Sequence, residues 1–149
     1  MSKEIALIGY GRFGRLAARY LSRDFRVRIA DSRKGERVDR GAQRVSLEEA
    51  ASKPIVILAV PISQLRAVLA EIAPSLQPGT LVIDVCSVKE QPVRWMRSLL
   101  PRSVSILGTH PLFGPDSAAR GLKGHTIALC PVRITGKQLL HVKIGRAHV

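Results

Sequence analysis

The sequence has little of what secreted and membrane proteins usually contain. Its two cysteines, Cys86 and Cys130, lie far apart in apolar runs, which provides neither a disulfide framework nor the ligand spacing of a zinc site. No apolar run reaches the roughly 18 residues of a membrane span. The N-terminus, MSKEIALIGYG, lacks the unbroken apolar stretch of a signal peptide. We therefore expect a cytoplasmic protein with free thiols, no bound metal and no membrane partner.

Acidic and aromatic residues are also scarce. Lys and Arg number 24 against 11 Asp and Glu, a net charge of +13, and aromatic residues make up 4% of the chain. Such a basic balance is typical of proteins that bind polyanions. The cations, however, are mostly single arginines between apolar residues, and few rings could stack on bases. We interpret the charge as a solvated surface and expect no nucleic-acid partner, with a basic nucleic-acid-binding module as a remaining alternative.

Short apolar runs alternate with amphipathic segments along the 149 residues. The runs suit buried strands, and they lie at 4–9, 25–31, 54–60, 80–87, 103–108 and 125–130. Helical spacing occurs at 12–23, at 47–52 behind a capping box of Ser46 and Glu49, after Pro61, and at 93–100. The alternation predicts one α/β domain, a Rossmann-type doubly wound, mostly parallel sheet with helices on both faces. Ligands of such sheets bind beyond the carboxyl ends of the strands.

A glycine-rich loop, GYGRFG, joins the first predicted strand to the first helix. Gly9 allows a tight turn, Gly11 lets a pyrophosphate approach the backbone, and Gly14 brings the helix close to the strand. Asp31 ends the second strand, where a carboxylate can accept both ribose hydroxyls of NAD. A structural glycine turn with a solvated aspartate is the plainer alternative. The strand before the loop and the helix after it favour a dinucleotide site.

Cations next to Asp31 bear on the choice of cofactor. Ser32, Arg33 and Lys34 follow the acid directly, and such groups would bind the 2′-phosphate of NADP. A carboxylate at the ribose repels a dianionic phosphate, so we expect NAD, with NADP as the alternative. The residues predicted to bind the cofactor follow the ends of three strands, and they are Gly9, Gly11, Arg12, Phe13, Gly14, Asp31, Ser32, Arg33, Val60 and Pro61.

Two segments that follow later strands carry candidate catalytic groups. The stretch GTHPLFGPDS frames His110 rigidly, and a neutral imidazole can accept the proton of an alcohol while hydride leaves the carbinol carbon. Ser87 can orient the imidazole or the alcohol, and Lys89 can hold an anionic substrate. From position alone, His110 could equally be a loop histidine bonded to backbone. Ser87 could be a helix N-cap, with Glu90 completing a capping box.

The motifs GYGRFG, DVCSVKEQP and GTHPLFGPDS together resemble the prephenate/arogenate dehydrogenase family of tyrosine biosynthesis, over residues 4–132. The resemblance implies oxidative decarboxylation of prephenate or arogenate at the C4 carbinol, with NAD or NADP as oxidant. It also implies that His110 accepts a hydrogen bond from the C4 hydroxyl, and that Ser87 lies beside His110 and the nicotinamide. The alternative is another Rossmann-type oxidoreductase, such as a β-hydroxyacid or imine reductase, which should lack the SVK and THPxFGP pair.

The end of the chain departs from this family. Members carry a second, helical domain that dimerises and closes the substrate pocket. We expect residues 1–132 to form the NAD(P)-binding domain and residues 133–149 to be a non-native or truncated tail, without the helical dimerisation domain. The ending IGRAHV is typical of a translated library adapter. The resemblance then implies a homodimer for the full-length enzyme and no activity for this fragment alone.

Overall fold

A single sheet organises the chain in the computed structural model, which describes residues 3–35 and 37–146. Its strands are β1 (Glu4–Ile8), β2 (Arg26–Ala30), β3 (Ala42–Arg44), β4 (Ile55–Leu58), β5 (Leu81–Asp84), β6 (Ser105–Pro111) and β7 (Ile127–Arg133). They lie in the order β3-β2-β1-β4-β5-β6-β7. The first six are parallel, and β7 is antiparallel to β6. The order of the parallel strands is that of doubly wound dinucleotide-binding sheets, so the predicted fold class is confirmed.

Helices cover both faces of this sheet. They are α1 (Arg12–Leu21), α2 (Leu47–Ala51), α3 (Ile62–Ile72), α4 (Glu90–Leu99) and α5 (Gly136–Arg146), with a short 3₁₀ turn after α3. Successive strand residues point to opposite faces. Accordingly Leu7 packs in a cluster with Ala18 of α1, whereas Ile8 belongs to the cluster that contains Leu65 of α3 and Met96 of α4. No helix in the described part of the chain has the length and apolar character to cross a bilayer.

Several predicted boundaries shift in ways that affect the site. Strand β6 continues past Gly108 to Pro111, so His110 is the penultimate residue of a strand. Helix α4 begins at Glu90 rather than at 93, because a proline such as Pro92 is tolerated in a first turn, where backbone N–H groups lack helical partners. Its N-cap is Lys89, which makes no side-chain cap hydrogen bond, so the alternative interpretation of Ser87 as an N-cap with Glu90 in a capping box is wrong.

At α2, Ser46 is the N-cap, as the predicted capping box requires. The Ser46 hydroxyl accepts a hydrogen bond of 3.1 Å from the backbone N–H of Glu49. In contrast, β3 was not predicted, because three residues with no buried side chain give no periodic signal.

The residues after β7 form α5, whose weak amphipathicity explains why no helix was predicted there. Gln138 of α5 accepts a hydrogen bond of 2.9 Å from the Ser105 hydroxyl, and Arg133 donates to the carbonyl oxygen of Val104 at 2.9 Å. The interpretation of residues 133–149 as a non-native or truncated tail stays a prediction. Of the suspected adapter sequence, residues 147–149 lie outside the described residues.

Candidate active site

The glycine loop after β1 combines two crowded positions with one open position. Gly9 has a φ of +102°, and a Cβ atom there would lie 2.5 Å from the carbonyl oxygen of Ala59. A Cβ at Gly14 would overlap the carbonyl oxygen of Gly9, so close packing of helix and strand requires a glycine. At Gly11 the nearest atom to a Cβ would be a guanidinium nitrogen of Arg33 at 3.8 Å. The fold therefore demands Gly9 and Gly14, while Gly11 leaves room for a ligand.

The N-terminus of α1 lies at that open position. Its N-cap is Gly11, no side chain caps it, and its first turn contains no acid. The first N–H groups of a helix lack helical partners and carry the positive end of the helix dipole, which favours a bound anion. The residues present thus fit a pyrophosphate at this place.

Asp31, just after β2, faces the glycine loop. Its carboxylate accepts hydrogen bonds from the backbone N–H groups of Tyr10 at 2.5 Å and Arg33 at 2.8 Å, and from Nε of Arg33 at 3.2 Å. The side chain is 7% exposed. Burial alone would raise its pKa, but these hydrogen bonds and the Arg33 charge outweigh burial and hold the pKa of Asp31 below its ordinary value. The carboxylate is therefore ionised at neutral pH and able to accept ribose hydroxyls.

Further cations contact the neighbours of this acid, Arg33 and Tyr10. A guanidinium nitrogen of Arg44 donates to the carbonyl oxygen of Arg33 at 3.1 Å. The guanidinium groups of Arg15 and Arg44 lie 5.6 and 5.7 Å from the centre of the buried Tyr10 ring. Sequence reasoning singled out Arg33 but missed Arg44, which is distant in sequence and reaches the site because β3 pairs with β2. The ribose end of the site thus holds the Asp31 carboxylate next to Arg33, with Arg44 bound to the backbone of Arg33.

The remaining predicted cofactor residues lie at the same edge of the sheet. Ser32 is exposed beside Asp31. Pro61 is the N-cap of α3, in the short connection after β4. Val60 adjoins the glycine loop, because its backbone nitrogen would lie 2.9 Å from a Cβ on Gly9.

The loop after β6 contacts the glycine loop. Phe13 packs on Phe113 with ring centres 6.2 Å apart, and Phe113 packs on His125 at 5.3 Å. A guanidinium nitrogen of Arg12 lies 2.8 Å from a carboxylate oxygen of Asp116. Both partners of this ion pair are largely exposed, so it contributes little to stability. These contacts bring the segment that carries His110 to the edge of the sheet that carries the dinucleotide motif.

Asp84 is a second charged residue to which sequence reasoning assigned no role. It ends β5 and is fully buried, and its carboxylate pairs with the Lys89 ammonium and accepts a hydrogen bond of 3.1 Å from the backbone N–H of Cys86. The available signal was an acid at the end of an otherwise apolar strand, LVID. Lys89, predicted to hold an anionic substrate, thus has its ammonium on Asp84, whereas Ser87 is exposed in the loop between them.

Cys86 is a thiol without nucleophilic character. Burial, together with the negative charge of Asp84, raises its pKa to about 11. A thiol with such a pKa stays protonated at neutral pH. Cys86 is therefore not a candidate nucleophile at this edge.

Comparison with known proteins gives a consistent family. A family model for the nucleotide-binding domain of prephenate dehydrogenase matches residues 25–144. The chain is 35% identical over 116 residues to a "Probable arogenate/prephenate dehydrogenase" of Methanocaldococcus jannaschii, a match that covers 73% of this chain and 26% of that protein. This chain spans about a quarter of the length of the curated relatives it matches.

Solved structures share the fold. The crystal structure of Synechocystis arogenate dehydrogenase superposes with a TM-score of 0.76 at 24% identity, over 94% of this chain and 54% of that one. A semialdehyde dehydrogenase NAD-binding protein from Cupriavidus necator, crystallised with calcium and NAD, gives a TM-score of 0.69 at 27% identity, over 97% of this chain and 58% of that one.

Proposed function

The chain belongs to the prephenate dehydrogenase family, whose nucleotide-binding domain it matches, and on this premise we propose that it forms the NAD-binding part of an enzyme that oxidatively decarboxylates prephenate or arogenate. One observation carries the proposal: the open N-terminus of α1 and the end of β6 that bears His110 lie at the same edge of the sheet. Because the chain spans only part of its relatives, the activity is proposed for the full-length enzyme.

The cofactor proposal is supported by the site and by a relative. The N-terminus of α1 would hold the pyrophosphate beside Gly11, and Asp31 would accept the ribose hydroxyls. A structural relative from Cupriavidus necator was crystallised with NAD. When bound, the dinucleotide supplies the hydride acceptor. The cations at Arg33 and Arg44 keep NADP as the alternative.

His110 is proposed as the general base. Its imidazole, in the neutral form, takes up the proton of the substrate's C4 hydroxyl as hydride leaves C4. The C4 oxygen becomes a carbonyl, carbon dioxide leaves, and the ring becomes aromatic as that oxygen regains a proton. Ser87, at the neighbouring strand end, orients the imidazole or the alcohol. Lys89 places positive charge near an anionic substrate, with its ammonium anchored on Asp84.

The remaining proposals concern alternatives and partners. Another Rossmann-type oxidoreductase fits less well, because the matching family model is that of prephenate dehydrogenase and the relatives matched over most of this chain include arogenate and arogenate/prephenate dehydrogenases. We further propose a cytoplasmic homodimer for the full-length enzyme, without nucleic-acid or membrane partners. The isolated chain is expected to bind dinucleotide without turning over substrate.

The test uses the full-length enzyme that carries this domain. Formation of NADH is followed at 340 nm with prephenate, with arogenate, and with a β-hydroxyacid such as 3-hydroxyisobutyrate as the matched control. We expect turnover of prephenate or arogenate, with the phenolic product and carbon dioxide in equal amounts, and none of the hydroxyacid. Turnover of the hydroxyacid alone would overturn the proposal and favour the alternative, a β-hydroxyacid reductase.

A further inference from the structure

We propose that Asp84 is a positioning residue, which fixes the loop that carries Ser87 against the strand end that carries His110. The inference rests on the proposed function, since it concerns the same catalytic edge. Asp84 lies beneath that edge, fully buried, at the last position of β5. A buried carboxylate is costly unless it is paired and hydrogen-bonded, so its partners indicate what it is kept for.

The partners of Asp84 belong to two different segments. On its own loop, the carboxylate accepts the backbone N–H of Cys86 at 3.1 Å. On β6, the Thr109 hydroxyl donates to the carbonyl oxygen of Asp84 at 2.6 Å, and the Thr109 N–H lies 3.4 Å from the carboxylate. Ser87 directly follows Cys86, and His110 directly follows Thr109. Each candidate catalytic residue is therefore one peptide away from an atom that Asp84 holds.

Lys89 contacts the same carboxylate from the far end of the loop. Asp84 pairs with Gly108 in the parallel register of β5 and β6, so their side-chain positions lie on the same face of the sheet. Because Gly108 has no side chain, the aliphatic stem of Lys89 can cross it, and a Cβ there would lie 3.3 Å from Cδ of Lys89. The ammonium thereby reaches Asp84. Both ends of the Ser87 loop, residues 86–89, therefore contact the Asp84 carboxylate, one through the Cys86 N–H and the other through the Lys89 ammonium.

This geometry predicts a loss of rate without a loss of cofactor binding. Asparagine at position 84 keeps the shape of the side chain but removes its charge and one acceptor, so the ion pair with Lys89 is lost. The hydrogen bond from the Thr109 hydroxyl to the backbone carbonyl oxygen of Asp84 remains, so the anchor between the Ser87 loop and the His110 strand end is weakened rather than removed. A misplacement of catalytic groups by about 1 Å costs on the order of 100-fold in rate. The glycine loop and Asp31 do not contact Asp84, so the Kd for NAD should change little.

The experiment uses the full-length enzyme with Asp84→Asn and Thr109→Val, and with Glu90→Gln as the matched control. Glu90 neighbours Lys89 but is 82% exposed and pairs only with Arg94 among the described residues. Values of kcat are expressed per NAD-binding site measured by calorimetry, so that unfolded protein does not count. We expect kcat to fall about 10- to 100-fold in Asp84→Asn. We expect a smaller fall in Thr109→Val, wild-type kcat in Glu90→Gln, and a Kd for NAD within about threefold of wild type in all three.

The outcomes separate this inference from the proposed function. A wild-type enzyme that oxidises neither prephenate nor arogenate overturns the proposed function itself. An active wild type with unchanged kcat per binding site in Asp84→Asn overturns the inference alone, since Asp84 then only stabilises the fold. If Asp84→Asn fails to fold, Thr109→Val decides, because it removes one tie and leaves the ion pair intact. Unchanged kcat in that variant also overturns the inference.

Discussion

Alanine substitutions at two glycines of the same loop should affect different properties, the stability of the fold at Gly9 and the affinity for NAD at Gly11. In Gly9→Ala the new methyl group would lie 2.5 Å from the carbonyl oxygen and 2.6 Å from the carbonyl carbon of Ala59, at a φ of +102°. Neither backbone atom can move without separating β1 from β4. In Gly11→Ala the backbone has an ordinary φ of −77°, and the methyl group meets nothing closer than 3.8 Å. The first variant should therefore lose stability, and the second should lose ligand binding.

The magnitudes follow from these contacts. For Gly9→Ala, backbone strain of about 1–3 kcal/mol adds to an overpacking cost of about 1–3 kcal/mol, a large part of the roughly 5–15 kcal/mol that stabilises a domain. For a chain of this size the loss corresponds to a fall in Tm of about 5–20 °C. Gly11→Ala should keep the wild-type Tm within about 2 °C. Its methyl group occupies the open space at the α1 N-terminus, so NAD affinity should fall by about 10- to 100-fold, or roughly 1.4–2.7 kcal/mol.

Differential scanning fluorimetry and calorimetric titration with NAD measure both effects on the 149-residue chain. Gly79→Ala is the matched control, because Gly79 also has a positive φ, +86°, but a Cβ there would have no neighbour within 4 Å. Gly79→Ala should lose only the stability that backbone strain costs, and it should bind NAD as the wild type does. An unchanged Tm in Gly9→Ala, or wild-type NAD affinity in Gly11→Ala, would refute the assignment of the loop.

Three further predictions concern Asp31 and Cys86. Calorimetry should show that the wild type binds NAD more tightly than NADP, and Asp31→Ser should narrow or reverse this preference for NAD. Tighter binding of NADP by the wild type would contradict the prediction and make Ser32 and Arg33 ligands of the 2′-phosphate. Because folding lowers the pKa of Asp31, its ionised form stabilises the fold at pH above the unfolded-state pKa near 3.8. This stabilisation is lost as the pH falls through the folded-state pKa, so the Tm difference between wild type and Asp31→Asn should shrink at acid pH. Cys86, with a pKa of about 11, should resist iodoacetamide at pH 7.5, which peptide mass spectrometry can check; rapid alkylation of the folded chain would contradict the assignment.

The sequence contained the signals for most of the fold. Continuous apolar runs such as 54–60 indicated buried parallel strands, and the glycine loop marked where β1 passes into α1. The short helix α2 followed from a single local hydrogen bond between Ser46 and Glu49, which a capping box encodes within four residues. Features of this kind depend on neighbours in sequence, so a sequence pattern can reveal them.

Features that depend on distant partners were missed. Asp84 drew no attention in the sequence, because its contact with Thr109 arises only from the pairing of β5 with β6. Arg44 reaches the site of Asp31 through β3, a strand too short to show a period. The end of β6 was placed too early because Gly108 suggests a turn, whereas in the fold its missing side chain makes room for Lys89.

The measurement that tests the central claim most directly is the kcat of His110→Asn in the full-length enzyme, with the Kd for NAD measured on the same preparation. Asparagine keeps some hydrogen-bonding capacity but cannot take up the proton of the C4 hydroxyl. A positioned general base contributes about 10²–10⁴ in rate, or roughly 3–5 kcal/mol of barrier, so kcat should fall by that factor. The Kd for NAD should stay at the wild-type value, because the glycine loop and Asp31 are untouched. Near-normal kcat in His110→Asn would contradict the account and show that the general base lies elsewhere.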